Sequence, residues 1–253
     1  LTSGLRAGAK YDNLPIHMYV MPHSPGNTPR DFRLSYYTAI AHGAKHINYF
    51  CASPLATGVT ENYIATDDLE MWRQVHACTH EAGVFEDYVV DGKVRQANVG
   101  LLLSSVDDIM TGVSHSTLAM HNNERKALYY ALRHSEIPVD FLSEDAVIAG
   151  RANDYRLIYV TQQWLHSKAI DSLKKWVEAG GTLVAMAGGG FKDEFNRPNS
   201  TANELYGIKS EQLTPAPQLV SKYLLVATRP FQRKHDVPLN SPSDYASCTR
   251  DKL

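Results

Sequence analysis

YRLIYVTQQWLHSKAIDSLKKWVEAGGTLVAMAGGG, residues 155–190, is the most legible stretch of this 253-residue chain. Residues 156–160 are a short apolar run rich in β-branched and aromatic side chains, which is the pattern of a buried strand. From Ser167 the period changes: Ile170, Leu173, Trp176 and Val177 recur at helical spacing, with Lys168, Asp171, Lys174, Lys175 and Glu178 on the other face. Gly180-Gly181 supplies the left-handed residue on which helices end. Residues 182–186 form a second apolar strand, left through Gly188-Gly189-Gly190, read as a flexible loop. Strand, helix and strand with tight connections make a βαβ unit, whose strands are parallel and whose crossover is right-handed.

The same unit is written just upstream. VGLLLS (99–104) reads as a strand, 122–135 as a helix with Ala127, Leu128, Ala131 and Leu132 inward, and PVDFL (138–142) as a strand. Two such units in succession predict an α/β domain of about 110 residues with an open parallel sheet, flavodoxin-like or class I amidotransferase-like.

With 43% apolar and 21% charged residues, the chain can bury a sizeable core, in one large or two medium domains. A net charge of −2 and a pI near 6.6 give no electrostatic footprint for nucleic acid or an anionic membrane. No apolar run approaches the roughly 20 residues of a membrane span, so the chain reads as soluble, in the cytoplasm or secreted with its leader removed. Cys51, Cys78 and Cys248 are odd in number and widely spaced, which speaks against a disulfide framework or a structural zinc site. Leu1 in place of an initiator Met makes the start read as processed or cut from something longer. Asn199-Ser200-Thr201 is a formal glycosylation sequon of a kind that often arises by chance.

The first ninety residues repeat the alternation with longer loops. PIHMYVM (15–21) is a strand stopped by Pro22; Asp31 caps a helix over 32–42 whose apolar side is Leu34, Tyr37, Ile40 and Ala41; KHINYF (45–50) is a second strand. A helix then begins at Thr66 or Asp67 and is closed by Gly83. Long loops after the strands, at 22–30 and 51–66, are the pattern by which (β/α)8 barrels build active sites at the carboxyl ends of their strands. Two strands cannot close a barrel, so this portion reads as the remnant of a larger one.

RLSYYTAIAHGAKHINYF (33–50) resembles the penultimate helix and last strand of the barrel in glycoside hydrolase family 42 β-galactosidases, with Ala41-His42-Gly43-Ala44 following a Pro25-Gly26 loop as in that family. NVGLLLSS, NERKALYYALRHSEIPVDFLSE, YRLIYV and LKKWVEAGGTLV are similar to phrases of the family's trimerisation domain, which has a class I amidotransferase-like fold. The resemblance spans about 15–208 and matches the order of the phrases. It implies three parts: 1–92 as the end of a (β/α)8 barrel, 93–210 as the trimerisation domain, and 211–253 as a Pro-rich tail or linker. It also implies a β-galactoside or related sugar as partner, a homo-oligomer, by resemblance a trimer, and no cofactor.

A retaining glycosidase needs two carboxylates about 5 Å apart. In the family the nucleophile is a Glu at the end of the seventh strand, just before the proline-glycine loop. The register puts Pro22 at that place, and the acid/base Glu belongs to a fourth strand with no counterpart here. The chain alone is therefore expected to be inactive by this mechanism, as part of a β-galactosidase-like hydrolase or as a non-catalytic oligomerisation or carbohydrate-binding module.

The weak catalytic candidates are His23, Glu61 and Asp67; the substrate-binding candidates are His23, Tyr49 and Phe50. Each has a plainer reading: His23 as a solvated loop residue, Tyr49 and Phe50 as core or barrel lining, Glu61 as a loop charge, and Asp67 and Asp68 as helix N-terminal residues favoured by the macrodipole.

His76 and His80 stand at i and i+4, without the Glu of H-E-x-x-H or a third ligand, so no metal site is expected from them. Glutaminase chemistry is excluded, because the turn after 182–186 has no Cys. The triple glycine lacks the context of a phosphate loop. In the tail, only KYLLVAT (222–228) reads as a strand. A stand-alone flavodoxin-like domain with a small ligand at the carboxyl edge of its sheet is the remaining, weaker reading.

Overall fold

A computed structural model describes residues 2–22, 27–50, 68–113, 118–186 and 188–208, with side chains at 112–123 excepted, and the backbone of 212–213 and 246–247. Two compact units divide between Arg95 and Gln96. The strand expected at 222–228 lies outside the described residues, as do His23, Glu61 and Asp67.

The first unit runs α1 (Thr2–Ala9), β1 (Ile16–Val20), α2 (Pro29–Ala41), β2 (Ala44–Tyr49) and α3 (Leu69–Val89). β1 and β2 pair in parallel, with a register irregularity between Ile16 and His17. Ile16, Met18 and Val20 alternate into a core that includes Phe32, Tyr36 and Ala39 of α2 and Met71, Val75 and Cys78 of α3. Two expectations about α2 are corrected here. Its cap is Thr28, whose hydroxyl accepts from the Asp31 amide while the Asp31 carboxylate accepts from the Thr28 amide, a capping box with Pro29 at the first turn. Its buried stripe is Phe32, Tyr36 and Ala39, because the Phe32 and Tyr36 rings pack on Tyr49 of β2; of the expected side, Tyr37 and Ile40 pack half-buried against the same core while Leu34 and Ala41 are exposed.

α3 also departs from expectation. Asp68 caps it through the Met71 amide, and it passes through Gly83 for six further residues to Val89. Nothing lies within 4 Å of a Cβ placed at Gly83, so that glycine is an ordinary helical residue. The end is set instead by Lys45 of β2, whose Nζ donates to the Val89 and Gly92 carbonyls at 2.6 Å each. A cation at the C-terminal end of a helix also complements the helix dipole. Arg33 and Tyr37 of α2 both bind the Glu81 carboxylate, joining α2 to α3.

The second unit runs β3 (Val99–Leu103), α4 (Ser105–Val113), α5 (Leu118–His134), β4 (Val139–Ser143), α6 (Glu144–Ile148), a 3-10 turn (Arg151–Asp154), β5 (Leu157–Val160), α7 (Ser167–Glu178), β6 (Thr182–Ala185) and α8 (Ser200–Tyr206). The four strands are parallel in the order β4-β3-β5-β6. Leu101 and Leu102 of β3 point to opposite faces and both are fully buried, so the sheet is covered on both sides. This is the α/β parallel sheet expected from 155–190. Ala169, Ile170, Leu173 and Trp176 form the buried stripe of α7. On α5, Leu132 is buried and Leu128 packs half-buried against the same cluster, both as expected, while Ala131, expected inward, is exposed and Tyr129 stacks on Phe141 of β4.

Helices α4, α6 and α8 carry no long apolar period and were not expected; capping side chains start α6 and α8, Ser143 on the Ala146 amide and Asn199 on the Ala202 amide. Farther on, a two-residue antiparallel pairing joins β7 (Gln212–Leu213) and β8 (Ala246–Ser247).

The triple glycine is not a flexible loop. Gly188, Gly189 and Gly190 are buried in a tight turn with positive φ at Gly188 and Gly190. The amides of Gly189, Gly190 and Phe191 donate to the carbonyls of Met186, Gln162 and Gly188. Amides used in this way do not face an anion, so the turn is not a phosphate cradle.

Candidate functional site

The site expected from the sequence lies at the carboxyl ends of β1 and β2. Alternation along the two strands separates their side chains into two sets. One set, Met18, Val20, Ile47 and Tyr49, belongs to the core under the helices. The other is an open face on which His17 and Tyr19 of β1 stand beside His46 and Asn48 of β2, with Phe50 just beyond. His17 stacks on Tyr19 at 5.3 Å between ring centroids and meets His46 at 6.1 Å. Tyr19 meets Phe50 edge to face at 6.2 Å and 83°. Tyr19 is 55% exposed and Phe50 40%. A row of half-exposed rings flanked by an amide and two imidazoles offers both the stacking faces and the hydrogen-bonding groups that a sugar requires.

Tyr49 and Phe50 are therefore on opposite sides. Tyr49 packs on Phe32 and Tyr36, and its hydroxyl lies 2.5 Å from Thr79 Oγ1. Thr79 Oγ1 in turn donates to the Val75 carbonyl, which leaves Tyr49 as the donor to Thr79. Tyr49 occupies the core, the plainer of the two readings that its sequence position allowed. Tyr19, Asn48, His17 and His46 were missed. The signal for them was present in the alternation of IHMYV and AKHINY, once the helix-facing set is assigned to the apolar residues.

Pro22 is buried directly after β1. Asn27 Nδ2 donates to the Met21 carbonyl at 2.9 Å and to that of Pro22 at 3.5 Å. Asp31, the nearest downstream carboxylate, is held in the capping box and does not substitute for a nucleophile. Elsewhere in this unit, burial and then the Glu81 hydrogen bond push the Tyr37 phenol up to about 12, and Arg33 and Tyr37 hold the Glu81 carboxyl below its ordinary value. These are groups joining two helices, away from the open face.

In the second unit, the carboxyl ends of β3 and β5 are where a doubly wound sheet opens for a ligand. Here they are tied together. The Ser104 amide donates to Gln162 Oε1 and its hydroxyl to the Trp164 carbonyl; Asp107 Oδ1 accepts from the Gln163 and Trp164 amides at 3.1 and 3.3 Å. Glu144 Oε1 accepts from the His166 amide at 2.7 Å, and its Oε2 accepts from Ser105 Oγ. Asp107 and Glu144 are thus buried carboxylates satisfied by amides and hydroxyls, in structural roles. Among the described residues no group of three or more His, Cys, Asp or Glu could hold a metal, and no helix is long and apolar enough to cross a membrane.

No family model and no curated protein sequence matches the chain. Solved structures do. The β-galactosidase of Bacillus circulans sp. alkalophilus superposes with a TM-score of 0.63 at 20% identity, over 78% of this chain and 31% of that one. Gan42B, a GH42 β-galactosidase, gives 0.59 at 20% identity over 78% and 32%. The polyextremophilic β-galactosidase of the haloarchaeon Halorubrum lacusprofundi gives 0.62 at 16% identity over 85% and 34%. The chain thus spans about a third of the length of these proteins. What the comparisons establish is the fold: this chain is similar to part of the GH42 β-galactosidases, with a mixed α/β architecture built on parallel sheets.

Proposed function

We propose that this chain is a portion of a β-galactosidase-like glycoside hydrolase. In this reading 1–92 are the last β/α units of its barrel, 93–210 the domain that assembles subunits, as a trimer, and 211–253 a tail or linker. The partner is a β-galactoside or related sugar, which meets the open face at Tyr19, Asn48 and Phe50, with His23, next to Pro22 in sequence, as a further contact. Covalent attack on the sugar by the family's mechanism does not originate from this chain. A proline stands at 22 where the family's nucleophilic Glu would be, and its ring has neither a carboxylate nor a lone pair to offer.

The observation that carries this reading is the open aromatic face at the carboxyl ends of β1 and β2, with Pro22 buried two residues past the end of β1. The alternative, a non-catalytic oligomerisation or carbohydrate-binding module, is favoured by the same proline. Glu61 and Asp67 remain the carboxylates on which a different mechanism would draw.

Two measurements on the chain test the proposal. Incubation with a chromogenic β-galactoside should release no product above the buffer rate, and a clear turnover would refute the assignment of Pro22. Galactose and lactose should perturb the Tyr19 and Phe50 ring resonances, and Phe50→Ala should abolish the response to both. Identical spectra with and without sugar would remove the sugar-binding half of the reading.

A further inference from the structure

Among the described residues of the first unit, two pairs of imidazoles come within reach of each other. One pair, His17 and His46, lies across adjacent strands with ring planes at 67°, and its His17 ring is stacked on Tyr19. The other, His76 and His80, lies one turn apart on α3 with ring centroids 6.2 Å apart and planes within 3° of parallel. Both residues of the helical pair are exposed.

We propose that His76 and His80 together bind one first-row divalent cation of the class that imidazole prefers: zinc, nickel or copper. A tetrahedral ion with metal–nitrogen distances of about 2.0–2.1 Å holds two imidazole centroids about 5–5.5 Å apart. The observed separation is therefore within about 1 Å of what chelation requires, and the rings, parallel in the free chain, turn toward each other about the broad χ2 torsion to bring one nitrogen of each onto the ion.

The backbone beneath the pair is fixed. Asp68 caps α3, and Met71, Val75 and Cys78 bury its opposite face, so the i, i+4 spacing is preset rather than formed on binding. Glu81, the carboxylate beside His80, is engaged by Arg33 and Tyr37 and is not a ligand. Two protein ligands leave the remaining positions to solvent, so the ion exchanges freely. Soft and borderline ions are selected over magnesium, which prefers oxygen. The His17 and His46 pair is the less suitable, because Tyr19 holds one of its rings. The assignment does not depend on the glycosidase reading.

Titration of the untagged chain with zinc or nickel chloride, followed by calorimetry and by the imidazole proton resonances, tests it. One saturable equivalent is expected. His76→Ala and His80→Ala should each weaken binding at least tenfold, His46→Ala should leave it unchanged, and magnesium chloride should give no response. Both histidines are exposed, so circular dichroism should show the variants folded. The proposal is overturned by absent saturation, by binding that survives either helical substitution, or by binding lost in His46→Ala.

Discussion

The Trp176 ring of α7 lies directly over Gly181, so close that a Cβ there would sit 2.3 Å from the ring carbons. The neighbouring Gly180 is needed for a different reason, a φ of +103° at the helix end. The two adjacent glycines therefore answer separate demands, one steric and one conformational.

Gly181→Ala should consequently destabilise the second unit by about 1–3 kcal/mol, since Trp176 is confined and a methyl there must displace it. Gly180→Ala meets open space and carries only the left-handed conformational cost, about 1–2 kcal/mol. Urea denaturation of both variants checks this. No loss in Gly181→Ala would mean that Trp176 yields without cost.

Asn199 is buried at the start of α8, and its side-chain oxygen accepts from the Ala202 amide. Expression in a host that glycosylates should leave the sequon unmodified in the folded chain, as intact mass will report. Asn199→Ala should cost about 1 kcal/mol through the lost cap.

Glu124 on α5 is largely buried, its Oε2 has no hydrogen-bond partner among the described residues, and burial pushes its carboxyl up to about 7. A raised acid is bound to its proton more tightly in the folded chain than in the unfolded one. Its contribution to stability is full below about pH 4.5 and is lost as pH rises through about 7. Glu124→Gln should flatten this part of the stability profile and stabilise the chain at pH 8 by up to about 3 kcal/mol. Stability curves of wild type and variant that stay parallel from pH 5 to pH 8 would contradict it.

Parallel strands are ordinarily covered on both faces. The β1–β2 pair exposes Tyr19, Met21 and Phe50 on one face and, among the described residues, pairs with no further strand. Concentration-dependent association is therefore expected in sedimentation, weakened by Tyr19→Lys with Phe50→Lys. A single monomeric species at high concentration in the wild type would rule it out.

The sequence by itself determined the four-stranded sheet of the second unit and the helix α7 that crosses it. The change of period from 2 to 3.6 at Ser167, the glycine pair, and the runs VGLLLS and PVDFL specify parallel strands and the crossover helix α7, because both periods come from backbone geometry acting on neighbouring residues. Tertiary packing decided what local pattern left degenerate. α2 carries two apolar stripes, and only contact with Tyr49 selects Phe32 and Tyr36 over Leu34. α3 ends at Lys45's reach rather than at Gly83. The buried turn of Gly188, Gly189 and Gly190 depends on carbonyls of Gln162 and Met186, and the face bearing Tyr19 and Phe50 depends on the pairing of two strands. In each case the deciding partner is distant in sequence, where periodicity carries no information.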